Sequence, residues 1–253
     1  MMNSIKKLIS SFFIKTEYIS PVTKNLEGQT VIITGATGGI GRAMAEVLHK
    51  EGANLVLVSR SISKDESLAD LKQDRLLLVD ADITKKSDIE NVVTKATQQF
   101  SRINVLINNA GQFADKSLED FTEEEYDKVM NTNVKGMFLF SQAVLPAMKK
   151  NNQGLIINIG SKISHNTNIS PHKVLYAMSK YAVEGFSFAL NKELKPYGVR
   201  VCCLMPGTVN TFVSLKSKDY LSPYDLGTLV AFIIKNKEID FESFVFKSLK
   251  QDI

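Results

Sequence analysis

The sequence has no Trp, only two Cys and only three His among 253 residues. The two cysteines, Cys202 and Cys203, are adjacent inside an apolar run and read as buried strand residues. Neighbouring cysteines cannot staple a fold, so no disulfide framework is expected and a reducing cytoplasm is the default setting. His49, His165 and His172 share no metal-ligand spacing with the cysteines, so no metal site is expected. No apolar run approaches the length of a membrane span, so no spanning helix is expected. Low-complexity tracts and internal repeats are missing as well. Net charge is only +4, and residues 1–24 hold most of it in Lys6, Lys7, Lys15 and Lys24 against Glu17. The near-neutral remainder lacks the basic stripe of a nucleic-acid binder, so no nucleic-acid partner is expected.

What is present is ordinary globular composition, 44% apolar, enough for a sizeable core. The length favours one large α/β domain over residues 28–253, preceded by an extension over 1–27. In that extension Ile5, Leu8, Ile9, Phe12 and Phe13 form one helical stripe. Three readings stand: the stripe packs on the body or a second subunit, residues 1–20 contact a membrane surface peripherally, or the segment is a targeting leader.

From residue 28 onward, short apolar runs alternate with helical patterns. The runs at 30–34, 55–58, 76–79, 105–108, 155–159, 199–204 and 244–246 read as strands. The pattern predicts helices over 39–50, 122–149, 175–195 and 221–236, with Thr122 and Glu125 forming a capping box at the start of the second. Strands that are apolar throughout, rather than alternating, indicate a parallel sheet covered on both faces. The order gives a doubly wound, Rossmann-type sheet, with ligand expected at the carboxyl ends of the strands.

Gly35, Gly38, Gly39 and Gly41 lie between the first strand and the first helix. Glycines there let the backbone approach a pyrophosphate whose charge meets the helix N-terminus. Alone, such a string is weak, and a turn that binds nothing is the alternative. Where an acidic residue would hold the adenosine ribose, the second strand ends in Ser59 and Arg60. A guanidinium without a competing carboxylate favours a 2′-phosphate, hence NADP(H) over NAD(H). The alternative is that Arg60 is a surface loop residue.

Tyr176 and Lys180 stand four apart on the predicted helix 175–195, one turn apart on one face. Chance supplies such a pair about once in a chain of this composition, so its weight depends on its company. The string TGATGGIG, the step DADIT, NNAG over 108–111, NTNVKGMF, INIGS, YAMSK and MPGTVNT appear in that order. Together they resemble the short-chain dehydrogenase/reductase family, in its compact single-domain branch of 3-oxoacyl-carrier-protein reductase type. The resemblance covers the chain from about Gly28 to the helix at 221–236.

The resemblance implies cofactor contacts from Gly35, Thr37, Gly39, Ile40, Gly41, Ser59 and Arg60 at the first two strand ends. It implies that Asp82 and Ile83 meet adenine and that Asn109, Ala110 and Gly111 follow the fourth strand. It places Pro206, Gly207, Val209 and Thr211 beside the nicotinamide, and gives Ser161, Tyr176, Lys180 and Asn133 the catalytic roles. The chemistry is coherent. A carbonyl that receives hydride becomes an alkoxide and needs a proton, for which Tyr176 is the candidate. Lys180 is expected to favour the phenolate, lower its pKa and hold the nicotinamide ribose. Ser161 would position the carbonyl oxygen, and Asn133 would hold a water linking Lys180 to solvent. Alternatives on the residues are that Ser161 terminates a strand and that Asn133 bridges a helix kink. The Ser161–Tyr176 interval exceeds the family's usual one by a residue or two.

The expected function is an NADP(H)-dependent oxidoreductase acting on a small carbonyl or alcohol substrate. Val209, Phe212, Val213 and Leu215 suit a partly apolar substrate, with Lys216 and Lys218 on the same segment. A catalytically silent dinucleotide-binding regulator or scaffold, and a membrane-associated lipid-pathway ketoreductase, are the alternatives. A homodimer or homotetramer is expected by analogy.

Overall fold

The structure is a computed structural model that describes residues 25–65, 68, 71, 73–165, 169–211, 217 and 219–247. The N-terminal stripe and the segment holding Phe212, Val213, Leu215, Lys216 and Lys218 lie outside the described residues.

Seven strands form one sheet: β1 Thr30–Thr34, β2 Asn54–Ser59, β3 Leu76–Asp80, β4 Val105–Asn108, β5 Gly154–Ile159, β6 Val199–Pro206 and β7 Ser243–Phe246. All pairings are parallel, in the order β3-β2-β1-β4-β5-β6-β7. The helices are α1 Gly39–Lys50, α2 Lys86–Phe100, α3 Glu123–Met130, α4 Met137–Lys150, α5 Val174–Leu194 and α6 Pro223–Lys235. Successive strand residues serve opposite faces, as the pleat requires. Val31, Ile33, Leu55 and Leu57 join Met44 and Leu48 of α1 and Val230 and Ile233 of α6 in one core layer. Ile32, Val56, Val58 and Leu106 join Ile89 of α2, Phe140 and Val144 of α4 and Leu190 of α5 in the other. Both faces are covered, which is why the strands are apolar throughout.

The sheet grows outward in both directions from the β1–β4 pair, so the strand order reverses there. Connections leaving β1 and β4 turn to opposite sides and open a crevice at the carboxyl ends, the usual ligand site of such sheets. The predicted helix 122–149 differs in one respect. It starts on the expected cap, with Glu125 N–H donating to Thr122 Oγ1 at 3.2 Å and Thr122 N–H donating to the Glu125 carboxylate at 2.9 Å. It then widens into a π-helical turn over Asn131–Gly136 between α3 and α4. Such turns swing the following face by an extra residue and often mark functional sites. Here the turn carries Asn133. No described helix is long and apolar enough to cross a membrane.

Candidate active site

The β1–α1 turn is built for close approach. Gly35 adopts φ +64, and a Cβ there would stand 2.8 Å from Ala110 Cα. At Gly41 a Cβ would meet Gly35 O at 2.3 Å and Asn109 Nδ2 at 2.7 Å. The turn and the NNAG segment therefore fit as one unit, locked by Thr34 and Asn109. Thr34 Oγ1 accepts from the Asn109 and Ala110 N–H groups, both at 3.0 Å. The Asn109 side chain donates to Thr34 O at 2.9 Å and Gly35 O at 3.1 Å.

A cleft of about 610 Å³ opens over this unit. Of the residues predicted to touch a cofactor, Gly35, Thr37, Gly39, Ile40, Gly41, Ser59, Arg60, Asp82, Ile83, Asn109, Ala110, Gly111 and Thr211 all line it. Pro206, Gly207 and Val209 do not line it: Gly207 N–H donates to Phe246 O at 2.7 Å, and Val209 is buried in a bridge to Leu221. Thr211 reaches the cradle, where a Cβ on Gly39 would lie 3.1 Å from Thr211 Cβ. Asp82 accepts from the Thr84 N–H at 3.0 Å and the Thr84 hydroxyl at 2.8 Å. The Thr84 backbone bond, with that hydroxyl, holds its carboxyl below the usual range despite partial burial. Ile83 packs against Gly136, where a Cβ would come within 2.9 Å of Ile83 Cδ1.

At the end of β2, Arg60 is exposed and no described carboxylate is bonded to it. Arg60 acts electrostatically on Asp82 across the cleft, whereas Asp80, which pairs in register with Ser59, is engaged elsewhere. It accepts from the Ser63 N–H at 2.9 Å and the Ser63 hydroxyl at 2.5 Å. The Ser63 hydroxyl, then its N–H, holds the Asp80 carboxyl low. This clamp ties the turn after Arg60 to β3.

Tyr176 and Lys180 lie on the inner face of α5. The Ser161 hydroxyl accepts from the Ile163 N–H at 3.3 Å and lies near enough to the Tyr176 phenol to act on its acidity. Lys180 is buried, donates to Ile159 O at 2.8 Å, and has its ammonium 5.7 Å from the Tyr176 ring centroid. These groups adjoin the cleft at Gly111, where a Cβ would lie 3.4 Å from Asn133 Oδ1 and 3.8 Å from Lys180 Nζ. Ser164, the other hydroxyl of this loop, is buried and donates to Ser161 O at 3.0 Å, so it faces away from the phenol.

The electrostatics depart from the sequence expectation. Lys180 does not lower the Tyr176 pKa here. Burial raises it, and the neighbouring Ser161 hydroxyl opposes that rise only in part. Burial also pushes Lys180 down to about 8, so its own positive charge is weakened. Burial likewise raises Cys202 to about 12 and Cys203 to about 11, which keeps both as inert thiols. Asn133 is fully engaged by protein. Its oxygen accepts from the Gln112 N–H at 2.7 Å, and its amide donates to Gln112 O and Ser179 Oγ, each at 2.9 Å. It thereby joins the π turn, the segment after NNAG and α5.

Several contributors escaped the motif reading. Asn108 donates to Ser141 Oγ at 3.1 Å and to Asn158 Oδ1 at 2.8 Å, and Asn158 donates to Ser187 Oγ at 2.9 Å. This buried chain ties β4 and β5 to α4 and α5 just beneath the site. Phe113 leaves 64% of its surface exposed while packing edge-on against Tyr176 at 5.0 Å. Lys173 caps that ring at 4.4 Å and pairs with Asp115. Ser61, Thr84, Gln112, Lys128, Asn131 and Thr132 also line the cleft. Among the described residues no group of His, Cys, Asp and Glu is placed to hold a metal ion.

Comparison with known proteins gives the same outline. Residues 29–220 match the family model described as short chain dehydrogenase. An uncharacterized oxidoreductase of Staphylococcus aureus strain MRSA252 is 33% identical over 214 residues, covering 83% of this chain and 92% of that protein. The 3-ketoacyl-(acyl-carrier-protein) reductase of Brucella melitensis, solved with NADH, superposes with TM-score 0.78 at 28% identity, covering 87% of this chain and 96% of that one. The alcohol dehydrogenase of the archaeon Thermococcus sibiricus, solved with 5-hydroxy-NADP, gives 0.80 at 28% identity, covering 88% and 97%.

Proposed function

The chain belongs to the short chain dehydrogenase family and is an oxidoreductase of that family, and from that premise we propose that it reduces a carbonyl with NADPH, using Tyr176 as proton donor. The observation that carries the reading is the pairing of Tyr176 with Lys180 beside the dinucleotide-sized cleft: the Lys180 ammonium lies 5.7 Å from the Tyr176 ring centroid, is buried against Ile159 O, and approaches the cleft at Gly111. The cleft suits a nicotinamide dinucleotide: its wall has no room for a Cβ at Gly35 or Gly41, and the N-terminus of α1 would face the pyrophosphate of a bound dinucleotide. When bound, that cofactor supplies the hydride.

The rest is work for the chain's own side chains. Ser161 orients the substrate oxygen toward the Tyr176 hydroxyl. Tyr176 gives its proton to the alkoxide as that charge develops. Lys180, pushed down by burial to about 8, is able to release or regain a proton at physiological pH and so to resupply the phenol. Asn133 holds the π turn and the NNAG segment in register with α5.

The preference for NADP(H) rests on Arg60 and the serines beside it, with Asp80 clamped by Ser63. Related structures carry either cofactor, so this preference is particular to the residues at the end of β2. The exposed ring of Phe113 beside Tyr176 fits a substrate with an apolar or planar portion. Purified protein should oxidise NADPH with members of a ketone and aldehyde panel. Tight NADPH binding with no turnover across a broad panel would instead identify a silent cofactor-binding protein.

A further inference from the structure

The opposite end of the sheet holds a second cleft, of about 330 Å³, at the amino ends of β1, β4, β5 and β6. Gln29, Asn104, Gln153 and Asn191 bring four carboxamides to it, and Arg200 and Lys237 bring cations. Two buried side-chain atoms among the described residues lack a hydrogen-bond partner, Asn191 Nδ2 and Thr30 Oγ1. Both sit at this end. Asn191 lines the cleft and is only 3% exposed. Thr30 opens β1, next to Gln29 and bonded through its N–H to Asn104. A buried amide left without an acceptor forfeits its hydration with nothing in exchange, so natural structures seldom leave one without a ligand, ion or water.

The orientation of these amides is set by the strands. Asn191 Oδ1 accepts the Val201 N–H at 2.9 Å, and Asn104 Oδ1 accepts the Thr30 N–H at 2.9 Å. With its oxygen fixed on a strand N–H, each carboxamide has both N–H donors of its NH₂ group oriented by the strand. Flipping either one would orphan a strand N–H. The mouth is tied shut on one side: Arg200 donates to Asn236 O at 3.2 Å and Ile239 O at 2.7 Å, and Lys195 pairs with Asp240 at 3.1 Å. Lys237 is exposed and no described residue is bonded to its ammonium. Lys195, Lys237 and Arg200 outnumber Glu238 and Asp240. The cleft therefore presents donors and a small positive excess.

We propose that this cleft binds a small oxyanion, a carboxylate or a phosphate, held by the Asn191 and Asn104 amides and by Lys237. The occupant is an acceptor, because Asn191 Nδ2 is a buried donor without a partner, and it is compact, to fit the volume.

The test is an amide-proton NMR titration of the full chain with sodium succinate and, separately, sodium phosphate, each against sodium chloride of equal ionic strength. The Asn191 side-chain NH₂ and the Gly154 and Leu155 backbone amides should shift saturably with at least one of the two anions, and the arm that saturates identifies the class. Lys237→Ala, an exposed change that keeps the fold, should weaken that binding several-fold. Asn191→Leu should weaken it about tenfold or more, the loss of one good hydrogen bond. NADPH affinity should be unchanged in both. Shifts that match the chloride control, or equal affinity in the wild type and Lys237→Ala, would overturn the proposal and leave an ordered water as the partner of Asn191.

Discussion

Lys180→Met removes a buried ammonium while nearly preserving its volume. Burial lowers the folded-state value from 10.5 to about 8. At about 1.4 kcal/mol per pH unit, holding the charged form inside the protein near neutral pH costs about 3 kcal/mol. Met carries no such cost but leaves Ile159 O without its 2.8 Å donor, a loss of about 1 kcal/mol. The variant should therefore be about 2 kcal/mol more stable than the wild type near neutral pH, although inactive. The pH dependence gives the sharper test. Because the folded value lies below the unfolded one, the unfolded chain binds the extra proton between pH 8 and 10.5. Wild-type stability attributable to this group thus rises with pH across that window. The advantage of Lys180→Met should shrink over the same range and reverse near its upper limit, when the wild-type amine is neutral and still bonded to Ile159 O. Urea unfolding of both proteins, without cofactor, at several pH values measures the difference, and other titrating groups cancel in the comparison. A variant about 2 kcal/mol less stable at neutral pH, with a gap that does not change toward alkaline pH, would refute the idea that burial dominates at Lys180.

Three further outcomes are expected. Arg60→Asp should raise KM for NADPH by about tenfold or more and shift preference toward NADH, since it replaces a phosphate-gripping guanidinium, worth about 1.5–3 kcal/mol, with a ribose-binding carboxylate; steady-state kinetics with both cofactors reads the ratio. Asn158→Ala should cost about 3 kcal/mol in urea unfolding, because it breaks the bonds to Asn108 and Ser187 in a buried chain. Gly41→Ala should sharply weaken NADPH binding in calorimetry, because its Cβ would stand 2.3 Å from Gly35 O and force the cradle open.

Much of the architecture was legible because each local signal agreed with the global one. Continuous apolar runs such as residues 105–107 mark strands covered on both faces, the usual state of a parallel sheet, and the glycine string between β1 and α1 has one common use. The π turn at Asn131–Gly136 was not legible, because the sequence 122–149 keeps helical periodicity on either side of it. The Asn108–Asn158–Ser187 chain was also hidden. It depends on β4 lying beside β5 and on α5 covering that face, a matter of pairing between segments 29 to 50 residues apart. The same holds for the Asp80–Ser63 clamp, 17 residues apart. The sequence expectation for the tyrosine failed through burial: a Tyr–Lys spacing reports proximity, whereas the acidity of Tyr176 depends on how dry its surroundings are. The N-terminal stripe remains an expectation about residues 1–20. Deleting them should alter membrane partition only if that stripe lies on a membrane surface.

The central claim is that Tyr176 completes hydride transfer from a reduced nicotinamide to a carbonyl in this cleft. The most direct measurement is label transfer from NADPH deuterated at the hydride position, with the alcohol product read by mass spectrometry. Wild-type protein should place deuterium on the carbinol carbon. Tyr176→Phe, with NADPH affinity unchanged, should lose at least about a hundredfold in that rate, the usual contribution of a positioned general acid. Equal label transfer by wild type and Tyr176→Phe would contradict the account.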